Sequence, residues 1–263
     1  MNRFNLTSFD FFRVGFFIEK FMRALNFLSL LSLLMMISCN GKKDQAVHEM
    51  DAVQKERQKI EETRPLIKDG DLIVRTGNDY ISGILVELNF KDKTYSHCGM
   101  AFTDSGRIYV YHNMAGDFNP DEKMRRDLLD SFCNPVNNYG FGIYRYNMDT
   151  AALENLKNIF LVNYKNRLPF DMSFDLGTDD KMYCAELVAK SLYRATSGRI
   201  QVQAGGMKKK IMDKYLKRAL DTRIFKSDKE AYALEYISLD NLYMNPHCKE
   251  IKQVTYERPV ISF

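Results

Sequence analysis

Cys184 stands in Met182-Tyr183-Cys184-Ala185-Glu186-Leu187-Val188-Ala189-Lys190, behind the possible helix caps Asp179 and Asp180, so it falls in a first helical turn. Unpaired backbone N–H groups and the positive end of the helix dipole favour a thiolate there. Such placement lowers a cysteine pKa from about 8.5 and makes the sulfur a usable nucleophile. A histidine that takes its proton and a third polar group that orients the imidazole would complete the chemistry. His97 lies in Tyr95-Ser96-His97-Cys98-Gly99-Met100-Ala101-Phe102. Period-two alternation puts Ser96, Cys98, Met100 and Phe102 on one face and His97, Gly99 and Ala101 on the other. The first set reads as core, with Cys98 a small buried hydrophobe. The second face is kept thin by small residues, as a site approached by another group needs. His112 ends the next strand on a face with Ile108 and Val110, and a hairpin would bring the two imidazoles together. Residue chemistry alone leaves two readings open. Cys184 is a nucleophile or a core thiol, and the histidines are base and orienter or packed strand residues.

The elements that must position these groups follow from pattern. A strand is expected over 72–74, a turn at Thr76-Gly77-Asn78-Asp79 and a short helix over 80–88. Strands over 95–102 and 108–112 flank Thr103-Asp104-Ser105-Gly106, a hairpin signal. Asn119-Pro120-Asp121-Glu122 carries the cap, first-position proline and early acids of a helix start. A strand over 141–146 precedes Asp149, a cap for a helix with Leu153, Leu156, Ile159, Phe160 and Val162 at helical spacing. The helix after Asp179-Asp180 carries Leu187, Val188, Ser191 and Leu192 on one side. Residues 205–218 suggest an amphipathic helix bearing Lys208-Lys209-Lys210, and the tail closes in short strand-like segments. One α+β domain over 66–263 is the economical reading.

The first 38 residues read as an address. Arg23 precedes an uncharged, mostly apolar run over 24–38, and Met36-Ile37-Ser38-Cys39 resembles the lipobox of bacterial lipoproteins. That resemblance implies a signal peptide over 1–38, lipidation of Cys39 and a cell-envelope protein anchored to a membrane. The run is shorter than the about 20 apolar residues of a membrane-spanning anchor. Asp10 and Glu19 interrupt the residues before it, and Met22-Arg23 is the more ordinary start. Residues 39–65 read as a polar tether passing into a solvated helix that Pro65 ends. Four of the 38 basic and two of the 34 acidic side chains precede Cys39, so half of the +4 net charge leaves with the signal. The near-neutral remainder gives no electrostatic case for nucleic acid, which calls for a concentrated basic face.

The order Gly70-Asp71-Leu72-Ile73, Arg75-Thr76-Gly77, Tyr95-Ser96-His97-Cys98-Gly99 and Tyr183-Cys184-Ala185-Glu186-Leu187-Val188 resembles the YiiX/YebB-like branch of the permuted NlpC-type cysteine hydrolases. The match spans 67–193, with an echo in Pro169-Phe170-Asp171. In these circularly permuted papain-like proteins the histidine strand precedes the cysteine helix, as here. The resemblance implies an α+β fold with an antiparallel sheet or barrel packed against helices. It also implies Cys184 as nucleophile and His97 as general base and acid. His112 matches the orienting third position, and Tyr183 the tyrosine near the oxyanion, acting through its hydroxyl or backbone. Ala185 stands where many relatives have serine.

The expected activity is thus a cysteine peptidase or amidase working through an acyl-enzyme on peptide-like amides, with cell-wall peptides the expected substrate class. The alternatives are a lipid amidase or acyltransferase of the same fold, and a non-catalytic ligand-binding lipoprotein. Asp171 and Asp175 flank Met172-Ser173-Phe174 as turn formers or cleft liners. Cys133 and Cys248 are either free or paired. His247-Cys248 lacks the spacing of a zinc site, so neither metal nor cofactor is expected. The lysine trio is a solvated helix face or an anionic-lipid contact.

Overall fold

Ser105 and Gly106 both take left-handed backbone (φ 50° and 74°), which closes the central hairpin in a two-residue turn. That tight turn brings both strands closer to it than expected, as β2 (His97–Asp104), which also starts two residues later, and β3 (Arg107–His112). The computed structural model describes residues 51–116, 119, 121–206 and 227–257. The proposed signal peptide, Cys39 and Lys208-Lys209-Lys210 lie outside the described residues. The chain divides into units over Met1–Ala52 and Val53–Phe263, and the second holds the fold that follows.

β1 (Asp71–Gly77) lies between β2 and β5 (Asn138–Tyr146). β4 (Arg125–Leu128) pairs with β3, and β8 (Cys248–Thr255) with β5, giving one six-stranded sheet in the order β4-β3-β2-β1-β5-β8. Every pairing in it is antiparallel. A two-stranded ribbon joins β6 (Gly205–Gly206) to β7 (Glu235–Tyr236), which follows the short helix α6 (Asp228–Tyr232). Asp71 is buried at the start of β1, where Arg145 of β5 grips it bidentately at 2.6 and 2.7 Å.

The alternation read in the sequence divides the sheet into two cores. Leu72, Val74, Cys98, Met100, Phe102 and Tyr111 face one side, against α4 (Thr150–Lys165), α5 (Cys184–Ala195) and α7 (Leu239–Tyr243). Ile73, Ala101, Val110, Phe141 and Ile143 face the other, against α1 (residues 51–63) and α3 (Leu129–Phe132). Ile60 is 1% exposed and Lys59 reaches the Thr255 carbonyl at 3.1 Å. The helix read as part of a solvated tether therefore packs on the sheet, and Pro65 does end it, in a short 3-10 turn at Arg64–Leu66.

Asp79 caps α2 (Tyr80–Glu87) and Asp149 caps α4, each accepting a backbone N–H. Leu156 and Phe160 of α4 are buried; Val162 turns outward. Two expectations need correction. No helix starts at Asn119: its amide donates to the Met114 and Lys123 carbonyls, Glu122 takes left-handed backbone (φ 48°), and the chain enters β4. Asp179 and Asp180 do not cap α5 either. Its N-cap is Tyr183, and Asp179 pairs with Lys190 and Arg194 from outside.

Candidate active site

Cys184 is the first residue of α5, as its sequence context requires, and Glu186 closes that end of the helix. The Glu186 carboxylate accepts the Tyr183 N–H at 3.3 Å and lies 2.8 Å from Lys190 Nζ, an ion pair made at Oε1 outside hydrogen-bond geometry. Burial pushes the Glu186 carboxyl up to about 7, although Lys190 and the Tyr183 N–H favour its ionised form. Its folded pKa thus exceeds the unfolded value of 4.5, and stability falls as pH rises through that window. Glu186→Gln is therefore expected to raise Tm relative to the wild type at about pH 8. Thermal melts at about pH 3, well below the unfolded value of 4.5 so that both states hold the proton, should show no such gain.

Cys184 packs against the core that holds Cys98, and the Cys98 thiol and the N–H groups of Cys98, Ala185 and Cys184 itself act on its sulfur as donors. Together these donors hold its pKa below the usual thiol value, led by the Cys98 thiol and against burial. Cys98 moves the opposite way: burial raises it well above the ordinary range, and the charge on Cys184 adds to that. Cys98 follows His97 directly in β2, so the fold sets the helix-borne sulfur beside the histidine strand. No hydrogen bond joins Cys184 to His97 in this conformation; unliganded sites are often looser than reacting ones.

The histidines do meet. His97 Nε2 and His112 Nδ1 are 2.9 Å apart, and His112 Nε2 is 3.1 Å from Asp127 Oδ2. The sequence reading missed Asp127, and it decides the direction of the network. Burial would raise its pKa, yet the hydrogen bond to His112 and the charges of His112 and Arg125 hold it low, so it is an acceptor only. His112 Nε2 must then carry a hydrogen. Burial keeps His112 neutral, so its Nδ1 accepts from His97 Nε2–H. Burial and the neighbouring Arg75, His112 and Arg125 charges depress His97 well below its ordinary value. Its Nδ1 is therefore left with a free lone pair: the protonation pattern of a general base.

Sterics make that approach possible. A Cβ on Gly99 would lie 2.7 Å from the Tyr111 carbonyl oxygen and 2.9 Å from His112 Cβ, so only glycine lets β3 come this close beside His97. Gly99→Ala is expected to cost about 1–3 kcal/mol of stability. A chemical melt reads that loss, and histidine NMR would show the 2.9 Å hydrogen bond lengthened or lost.

Three further side chains hold the frame. Phe132 of α3 packs on both imidazoles, with ring centroids 5.6 Å from His97 and 5.0 Å from His112. Arg75 pairs with His97 across β1 and β2; its guanidinium lies 4.9 Å over the Phe132 ring and donates to Asn138 at 2.9 Å. Asn113, buried immediately after His112, donates to the Leu168, Pro169 and Met182 carbonyls. It ties the end of the histidine strand to the segment that leads into Cys184. Asn113→Leu removes the donor those buried carbonyls share and is expected to lower stability by about 1–3 kcal/mol in urea titration.

Tyr183 serves otherwise than the resemblance implies for its hydroxyl. That hydroxyl donates to the Ile237 carbonyl at 3.2 Å and accepts the Ile237 N–H at 2.7 Å, locking the start of α5 to the segment before α7. Asp171 forms a turn, accepting from Ser173 and from the Asp175 N–H and pairing with Lys181. Cys133 and Cys248 are free and belong to opposite cores, so they form no disulfide.

A sheet whose histidine strand precedes a cysteine-bearing helix, with the sulfur set beside that strand, defines a permuted papain-like cysteine hydrolase. A family model described as permuted papain-like amidase enzyme, YaeF/YiiX, C92 family, matches residues 67–239, and the chain belongs to that family. It is thus a cysteine peptidase or amidase by class. Among solved structures it is similar to one titled as the metalloprotein yiiX from Escherichia coli O157:H7. The two share 18% identity and a TM-score of 0.55, over 73% of this chain and 98% of that one. No curated protein matches the sequence.

Proposed function

We propose that the chain is a lipid-anchored cell-envelope hydrolase that cleaves peptide-like amide bonds, with cell-wall peptides as its substrate class. The run from Asp127 through His112 to His97, on the strand whose next residue, Cys98, helps to lower the pKa of the Cys184 thiol, supports this reading. Cys184 attacks the amide carbon while His97 Nδ1 takes its proton. His97 then protonates the leaving amine, and water releases the acyl group by the same route in reverse. The backbone N–H of Cys184, at the N-terminal end of α5, is a donor for the developing oxyanion. His112 orients His97. In the envelope, Cys39 carries the lipid that holds the domain at a membrane.

Two experiments test this. Incubation of the purified chain with muropeptides and with acyl-amide lipids, followed by mass spectrometry, should show muropeptide cleavage. Turnover of the lipids alone would move the substrate class to lipid amidase chemistry, and binding without turnover would make the protein a ligand-binding lipoprotein. Cys39→Ala should release an unlipidated form from the membrane fraction; unchanged fractionation would sink the anchor.

A further inference from the structure

We propose that Arg75 is a specificity-determining residue that binds a carboxylate of the substrate beside the scissile amide, so that the enzyme selects acidic peptides. The inference rests on the reading of His97 and Cys184 as base and nucleophile and adds a substrate group that this reading leaves open. Arg75 stands directly opposite His97 in the pairing of β1 with β2. Both side chains pack on the Phe132 ring, the guanidinium carbon 4.9 Å and the His97 centroid 5.6 Å from its centre. A group that reaches His97 thus meets this guanidinium. Five of the described arginines are not exposed, and four of them pair with a carboxylate: Arg64 with Asp130, Arg125 with Asp127, Arg126 with Asp104 and Arg145 with Asp71. Arg75 is the fifth, and among the described residues it has no acidic partner.

The guanidinium is held in place but not neutralised. Nη1 donates to Asn138 Oδ1 at 2.9 Å, a neutral acceptor whose own amide is fixed on the Phe132 and Asn134 carbonyls. Nε is buried with no partner; Nη2 makes no hydrogen bond to a described residue and is not sealed in as Nε is. Asp79 and Asp127, whose charges reach Arg75, are committed elsewhere: Asp79 caps α2, and Asp127 holds His112 and Arg125. A half-buried cation without a counter-charge carries a desolvation cost that neither stacking nor a neutral amide offsets. A ligand carboxylate at Nη2 offsets it through a charge-assisted hydrogen bond, which a neutral ligand cannot make. The same contact serves the chemistry. Burial, and after it the Arg75 charge, hold His97 below its ordinary value. A carboxylate on Arg75 counters that charge, so a substrate bringing its own carboxylate strengthens the base that takes the thiol proton.

The full chain and its Arg75→Gln and Arg75→Lys variants are given muropeptides whose stem carboxylates are free or converted to carboxamides. The wild type should cleave the free acids with a kcat/KM about tenfold or more above that for the amides, the worth of one charge-assisted hydrogen bond. Arg75→Gln should lose that preference and Arg75→Lys keep part of it. A merely structural Arg75 predicts both peptides slowed alike with the preference unchanged, and that result, or equal rates on the two peptides in the wild type, would overturn the inference. Alkylation of Cys184 makes the same comparison without a substrate. Iodoacetate carries a carboxylate beside its reacting carbon where iodoacetamide carries a neutral amide. The ratio of their rates cancels any change in thiolate fraction and should fall about tenfold in Arg75→Gln; an unchanged ratio counts against Arg75. Cleavage of neither peptide defeats the proposed substrate class and leaves this ratio to decide on Arg75, whereas slow labelling by both reagents defeats the nucleophile assignment.

Discussion

Cys184→Ala is expected to abolish amide hydrolysis, by about 10⁴-fold or more, while leaving the melting temperature near that of the wild type. The size follows from what the sulfur does: no other group on α5 forms the acyl-enzyme, and the imidazole has no nucleophile to deprotonate once the thiol is gone. The fold should tolerate the change because Cys184 is only half-buried at the helix start, and alanine suits a first helical turn. The same assignment predicts how the thiols differ. Donors from β2 and from the helix end hold Cys184 below the ordinary thiol value of 9.0. The thiolate should thus persist as pH falls below that value, and the iodoacetamide rate should reach half its maximum at a lower pH than a free thiol does. Burial drives Cys98 and Cys133 the other way, so both should stay unlabelled until the protein unfolds. Labelling of all three at one rate would remove the physical basis for the assignment.

How much of this was written in the sequence depends on how local each determinant is. The hairpin was legible because Ser105-Gly106 is a turn by its own backbone preference and the flanking alternation sorts core from site. The same alternation correctly put His97 and Cys98 on opposite faces. The caps at Asp79 and Asp149 are local too. What failed was tertiary. Asn119-Pro120-Asp121-Glu122 has every local mark of a helix start. Yet Asn119 is held by Met114 and Lys123, and the chain continues as the edge strand beside β3. With a helix start expected there, no strand was expected over Arg125-Arg126-Asp127-Leu128. As a strand its alternation aims Arg125 and Asp127 at the His112 side, and register sets Arg125 opposite His112 itself. The missed element thus concealed the missed residue. The anchoring bonds of the Tyr183 hydroxyl were not legible for another reason: they depend on Ile237, which is distant in the chain, and no spacing rule reaches that far.

Asp127→Asn should lower hydrolysis by about a hundredfold to ten-thousandfold with little loss of stability, because it reverses a protonation pattern and preserves the shape. With the carboxylate present, His112 carries its hydrogen on Nε2, accepts at Nδ1 from His97 Nε2–H, and so leaves His97 Nδ1 bare. An asparagine turned to donate its Nδ2–H to His112 Nε2 stabilises the opposite tautomer. His112 then donates from Nδ1 to His97 Nε2, His97 holds its hydrogen on Nδ1, and the nitrogen meant to accept the thiol proton is blocked. A merely structural role for Asp127 predicts a different result, since loss of an edge-strand contact beside Arg125 would lower Tm without touching the tautomers. Nitrogen-15 spectra of the two imidazoles separate these outcomes. The wild type should show His97 protonated at Nε2 and the variant at Nδ1. Thiol alkylation should slow in parallel with hydrolysis, because both draw on the same base. If the spectra switch and the rates do not, His97 is not that base. If neither changes, the relay has no part in activating Cys184.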